Sequence, residues 1–383
     1  MTPPPSGGWH HGSMERIDVA VVGAGIAGAS AAYELAAHGD VVLFEREPVA
    51  GYHTTGRSAA LYTESYEKGP VQLLTLASGP FLRDPPDDFV DHPLLTPLPV
   101  LYVATATQLE TLDRIVTEVA GRTELYRLDG EELHRACPAL DPTRLVAGLL
   151  EPAAHEIDVH ALHQGYLRGA RRRGAATLLG TPVTALRRRD RRWEIRAGET
   201  VLVADVVVDA AGAWADEVAV LADVPPLGLT PLRRTAFTFG AEGHDLTSWP
   251  MVVDADERFY FKPERDQLMG SLADETPSEP CDARPEEIDV ALAIERITAV
   301  TDFTIRSVRR TWAGLRTFSP DRLPVVGFEP TADGFLWLAG QGGFGIMTAP
   351  AMARLAAAIV AGGPLPDGID PDLAAAVAPG RLR

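Results

Sequence analysis

A chain of 383 residues with 53 Asp and Glu against 35 Lys and Arg carries a formal charge of −18. That balance excludes nucleic acid as a partner, since neutralising phosphates takes clustered cations, and it opposes docking on an anionic membrane surface. The length suits two interleaved domains, and the two distant cysteines, Cys137 and Cys281, give neither a disulfide scaffold nor zinc-ligand spacing.

Residues 1–15 are rich in Pro, Gly and His without an apolar core, so they read as a disordered leader or the remnant of a tag, not a signal peptide. With no targeting segment the expectation is a cytoplasmic protein. The late apolar run at 346–362 is broken by Pro350 and Arg354, too short and polar for an integral membrane segment. Basic runs at 168–173 and 187–192 read as solvated faces.

Residues 17–22 are apolar and β-branched, as a buried parallel strand should be. Gly23, Gly25 and Gly28 follow at G-x-G-x-x-G spacing around Ile26 and Ala27, then an Ala-rich helix over 29–38 ended by Gly39. A second strand at 41–44 closes on Glu45, 22 residues after Gly23. This is the layout of a dinucleotide-binding unit. Gly23 makes the turn, Gly25 admits a pyrophosphate to the helix N-terminus, Gly28 allows close packing, and Glu45 meets ribose hydroxyls. The unit alone does not choose between FAD and NAD, and Arg46 after the acid admits NADP.

Three later segments favour flavin. Residues 51–60, containing Thr55, Gly56, Arg57, Ser58, Ala59 and Ala60, are small and polar enough to wrap phosphates. A strand over 201–211 runs into Ala211, Gly212 and Trp214, the approach of a second crossover. A third strand at 334–339 leads into a glycine loop holding Gly342, Gly343, Phe344, Gly345 and Ile346. The helix at 348–361 then presents Met352, Leu355 and Ile359 on one apolar face. Its positive end suits the charge a reduced flavin carries.

These segments together resemble the D-amino acid oxidase/glycine oxidase superfamily of FAD enzymes, and most of all bacterial D-amino acid dehydrogenases of the D-arginine type. The phrases that carry the likeness are Gly51-Tyr-His, Thr55-Gly-Arg-Ser-Ala-Ala60, His163-Gln-Gly-Tyr-Leu-Arg-Gly169, Trp312-Ala-Gly-Leu-Arg316 and Gln341-Gly-Gly-Phe-Gly-Ile346. The resemblance implies an α/β fold: a Rossmann-type FAD-binding domain with a discontinuous α+β substrate domain on an antiparallel sheet. Residues 16–91, 155–224 and 311–383 would form the first, and 92–154 and 225–310 the second. It also places Val183 and Gly314 among the FAD contacts.

The implied reaction is oxidative deamination of D-amino acids. Hydride passes from the α-carbon to flavin, and the imino acid hydrolyses to a 2-oxo acid and ammonia. Residue by residue, the resemblance places Arg316 and Arg234 at the substrate carboxylate, although Arg233 competes for the second role. A planar, permanent cation suits that task. Tyr260 would bond the same carboxylate, Tyr66 would act as a lid, and Gly343 and Thr63 would meet the amine. Leu61, Val100 and Met347 fall at the side-chain pocket, which favours apolar or aromatic substrates over D-arginine, since an unpaired buried guanidinium is costly. Asp91 and Asp254 are the acids to suspect if a cation were preferred. With no Cys after Cys281, the expectation is non-covalent FAD. The electron acceptor is a quinone or oxygen. Rival readings are oxidation of an N-alkyl amino acid or 2-hydroxy acid, a non-catalytic FAD-binding subunit, and an NAD-linked enzyme.

Overall fold

Along the opening strand Val19 and Val21 alternate with Ala20 and Val22, which a sheet covered on both faces requires. The structure is a computed structural model describing residues 15–66 and 68–383; the leader read at 1–15, apart from Glu15, lies outside the described residues. Glu15–Val22 pairs in parallel with Val41–Phe44 on one side and Thr200–Asp209 on the other. Val19 and Val21 join a core with helices Ile26–Leu35 and Gly345–Ala361. Ala20 and Val22 join a second core around Trp193 and Trp337 on the opposite face. Among the described residues the sheet has eight strands.

Register sets the site. Val22 stands beside both Phe44 and Asp209, and Asp209 beside Trp337. Gly23, Glu45 and Ala210 therefore emerge together at the carboxyl end of the sheet, where ligands bind in open α/β folds.

A second sheet of nine strands is mostly antiparallel, and a three-stranded sheet joins Leu61–Tyr62, His155–Ile157 and Leu95–Pro97. In the large sheet, Thr230–Phe239 pairs antiparallel with Val308–Phe318 from Thr230↔Phe318 to Phe239↔Val308. Val308–Phe318 thus continues across residue 311, where the cofactor-binding segment was expected to resume.

Two helices differ from expectation. The first begins at Ile26, so the glycine motif runs inside its first turn, and it ends at Leu35, before Gly39. The second, Gly345–Ala361, begins at Gly345 rather than Thr348 and contains Pro350. Every residue from Ile346 to Ala353 is buried, and that packing outweighs the donor Pro350 lacks. Met352 and Leu355 lie in the core, while Ile359 is only partly buried.

Candidate active site

The glycine turn is as tight as its spacing predicts. Gly23 has φ +100°, and a Cβ there would stand 2.6 Å from the Ala210 carbonyl oxygen. At Gly28 a Cβ would overlap the Gly23 carbonyl. Glu45 braces the turn: one carboxylate oxygen accepts from the Ala24 amide at 2.8 Å, the other from the Glu47 amide at 2.9 Å. Thr55 likewise accepts from the Ile26 amide at 2.9 Å. These bonds hold the turn open beside a cavity of about 210 Å³ lined by Glu45, Arg46, Val183, Ala211 and Trp214. The Arg46 guanidinium lies 5.1 Å from the Trp214 ring centre.

A second cavity of about 260 Å³ shares Gly25, Thr54, Thr55, Ala210, Gly212 and Ala213 with the first, so the two form one trough. Ile26, Ala27, Arg57, Ser58, Ala59 and Ala60 line its middle, and Gly314, Gly342, Gly343, Gly345 and Ile346 its far end. Gly28 lies behind the wall, packing the helix against Gly23 as its spacing implied. Two residues expected at the cofactor also lie behind it: Gly56 closes a turn by donating to the Gly51 carbonyl at 2.8 Å, and Phe344 is buried in the core.

His53 Nδ1, Thr317 Oγ1 and Gln341 Nε2 are buried without a protein partner, and all three residues line the trough. A buried orphan costs about 1–3 kcal/mol unless a ligand answers it. An extended, polar dinucleotide such as FAD fits these groups.

At the far end Arg316 is buried, and its guanidinium lies on the backbone of Gly343, where a Cβ would overlap it. It donates to the Tyr66 hydroxyl and, at 3.2 Å, to Glu275. Burial opposes its charge, but the oxygens of Tyr66, Glu275 and Tyr260 outweigh burial and hold its pKa above the ordinary guanidinium value. Arg234 is on the neighbouring strand: Leu232 stands opposite Arg316, and Arg234 opposite Gly314. Cross-strand geometry places the two arginines diagonally on one face, and both line the cavity. Arg233 points to the other face, where it pairs with Glu286 and, at 2.9 Å, with Asp289. Strand alternation decides between the two arginines, as their adjacency in sequence does not.

Tyr66, Tyr260, Thr63, Leu61, Val100 and Met347 all line this end. Sequence reasoning missed Tyr102, Met251, Val253, Glu257 and Gln341, which line it too. Met251 and Val253 stand beside Val100 and Tyr102 in a parallel register that only the folded sheet reveals. The one acid lining the cavity among the described residues is Glu257, not either suspect. Asp91 is exposed with His92, and Asp254 is buried against Arg258 and Gln108. Neither cysteine lines the trough. Among the described residues no cluster could hold a metal ion, and no helix is long and apolar enough to cross a membrane.

A family model described as FAD dependent oxidoreductase (DAO) matches residues 18–359. Hydrogen cyanide synthase subunit HcnC of Pseudomonas aeruginosa is 30% identical over 271 residues, covering 70% of this chain and 64% of that protein. Mitochondrial dimethylglycine dehydrogenase of Mus musculus is 26% identical over 371 residues, 89% of this chain but 42% of the relative. The chain thus spans less than two thirds of either curated relative. Among solved structures, L-proline dehydrogenase from P. horikoshii superposes with a TM-score of 0.82 at 19% identity, over 97% of this chain and 98% of that one. Glycine oxidase from Geobacillus kaustophilus gives 0.80 at 22%, over 93% and 100%. These likenesses fix the fold, including its Rossmann-type unit.

Proposed function

The chain belongs to the family of FAD-dependent oxidoreductases and binds FAD, and from that premise we propose that it oxidatively deaminates D-amino acids with apolar or aromatic side chains. The observation that carries the proposal is the buried Arg316 guanidinium, seated on Gly343 and facing a largely apolar cavity. Bound FAD supplies the two-electron acceptor for the α-carbon hydride, while the protein supplies orientation. Arg316 and Arg234 hold the carboxylate from one face of the sheet, and the Tyr260 hydroxyl adds a donor. Tyr66, whose hydroxyl accepts from Arg316, covers the bound carboxylate. Leu61, Val100, Met251, Val253 and Met347 exclude water around the side chain.

Both cysteines lie outside the trough, so neither is placed to form a thioether to flavin; the reading is of non-covalent FAD, and acid denaturation should release the yellow colour from the polypeptide. The electron acceptor is a quinone or oxygen. The main test is anaerobic addition of D- and L-amino acids to the purified yellow protein. Bleaching of the flavin by apolar D-amino acids is expected, whereas bleaching by L-isomers alone would overturn the stereochemistry.

A second reading, oxidation of an N-alkylated amino acid, draws support from the likeness to dimethylglycine dehydrogenase along 89% of this chain. Adding N,N-dimethylglycine and N-methylglycine to the panel separates the two. A non-catalytic FAD-binding subunit predicts no bleaching by any of these compounds.

A further inference from the structure

Glu151 ends the strand Ala147–Glu151 and is almost fully buried, yet it is not among the residues lining the cavity. Its two oxygens collect four donors from one short turn. One accepts from the Glu64 amide at 2.8 Å. The other accepts from the Thr63 hydroxyl at 2.7 Å, the Ser65 amide at 3.2 Å and the Ser65 hydroxyl. Ser65 Oγ in turn lies 3.1 Å from the Tyr102 hydroxyl.

A hydroxyl has one proton to give. Thr63 spends its proton on Glu151, so toward the cavity it offers only lone pairs. Ser65 does the same, so the Ser65–Tyr102 bond must be donated by Tyr102, and the Tyr102 oxygen also turns lone pairs outward. Thr63 and Tyr102 both line the cavity. Arg234 and Arg316, which line the same cavity, offer only donors.

We propose that Glu151 is a positioning residue that sets the polarity of the cavity: it turns Thr63 and Tyr102 into acceptors for the substrate amine, while the arginines of the same cavity take the carboxylate. The α-amino acid is thereby bound in one direction. This inference rests on the amino-acid reading given above.

The test uses the FAD-loaded full chain and two ligands that differ only in the amine: the amino acid that bleaches the flavin fastest, expected to be D-leucine, and its deaminated skeleton, 4-methylpentanoate. The apparent dissociation constant of the first comes from anaerobic flavin reduction, the inhibition constant of the second from competition. In Glu151→Gln the amide can donate where the carboxylate only accepted. The amino acid should bind about tenfold more weakly, the scale of one hydrogen bond to a charged group, while 4-methylpentanoate changes less than twofold. Thr63→Val should reproduce this selective loss and add little to Glu151→Gln in the double variant. It also carries the test if Glu151→Gln does not fold. Equal weakening of both ligands in the variants, or no change in either, would overturn the proposal. A wild-type flavin that no amino acid reduces would instead overturn the deamination reading, and this inference with it.

Discussion

At the dinucleotide end one stretch of chain supplies the glycine turn, the acid and the bracing hydroxyl, from Gly23 through Glu45 to Thr55. The substrate end draws Thr63, Val100, Arg234, Tyr260, Arg316 and Met347 from segments far apart in sequence. Both line one trough, but they fail differently. A local unit is disrupted by a change in backbone shape, whereas an assembled one is disrupted by losing the side chain that several segments were folded to present.

The largest effect is expected at the assembled end. Arg316→Leu should lower kcat/KM roughly a hundredfold or more, by the cost of leaving a charge partner unpaired, with the flavin spectrum retained. Gly343→Val should mimic it by displacing the same guanidinium. A variant of either kind with normal kinetics would break the assignment of this end to a carboxylate.

At the local end Gly23→Ala should do the reverse and weaken FAD retention. A positive φ and the nearby Ala210 carbonyl make it strained, with a backbone cost of about 1–3 kcal/mol. Release of flavin fluorescence on dilution measures it.

Arg233 and Arg234 sharpen the comparison within one strand. Arg234→Leu should raise KM about tenfold, the loss of one hydrogen bond to a charged group, with little change in melting temperature. Arg233→Leu should lower the melting temperature and leave KM alone, because its partners are Glu286 and Asp289.

The smallest effect concerns His163, whose Nε2 lies 2.9 Å from the Ala24 carbonyl oxygen and donates to it. Burial pushes this imidazole below its ordinary value of 6.5, and His160 adds to the shift. The unfolded chain therefore takes up the proton first. The contribution of His163 to stability is complete above pH 6.5 and declines as pH falls below it. Melting temperature should show this decline, and His163→Gln should flatten it.

The local end was legible because its physics is local. Spacing alone located Gly23, Gly28 and Glu45, since a turn, a close packing and a strand end each need a particular residue type at a fixed distance. Spacing did not reveal that Glu45 also accepts from Ala24, or that Gly56 and Phe344 stand behind the wall. At the assembled end, Arg316, Tyr260 and Met347 came from resemblance, and the cavity does bring them together. Tyr102, Met251 and Val253 carried no signal, because they face the cavity only through the register of strands far apart in the chain. Glu257 sits in the turn between the strands Met251–Asp254 and Tyr260–Glu264, where an exposed acid looks like ordinary surface.

Arg316, Arg234 and Arg322 all face the single carboxylate of Glu275. Arg234 and Arg316 line the cavity with Glu257 as its one acid among the described residues, so on the reading proposed above the site would attract carboxylates as a class. On the deamination reading, a 2-oxo acid released there would keep the group by which its parent was held. Product would then compete with substrate for the same guanidinium, and turnover would slow as product accumulates, with no separate regulatory site required.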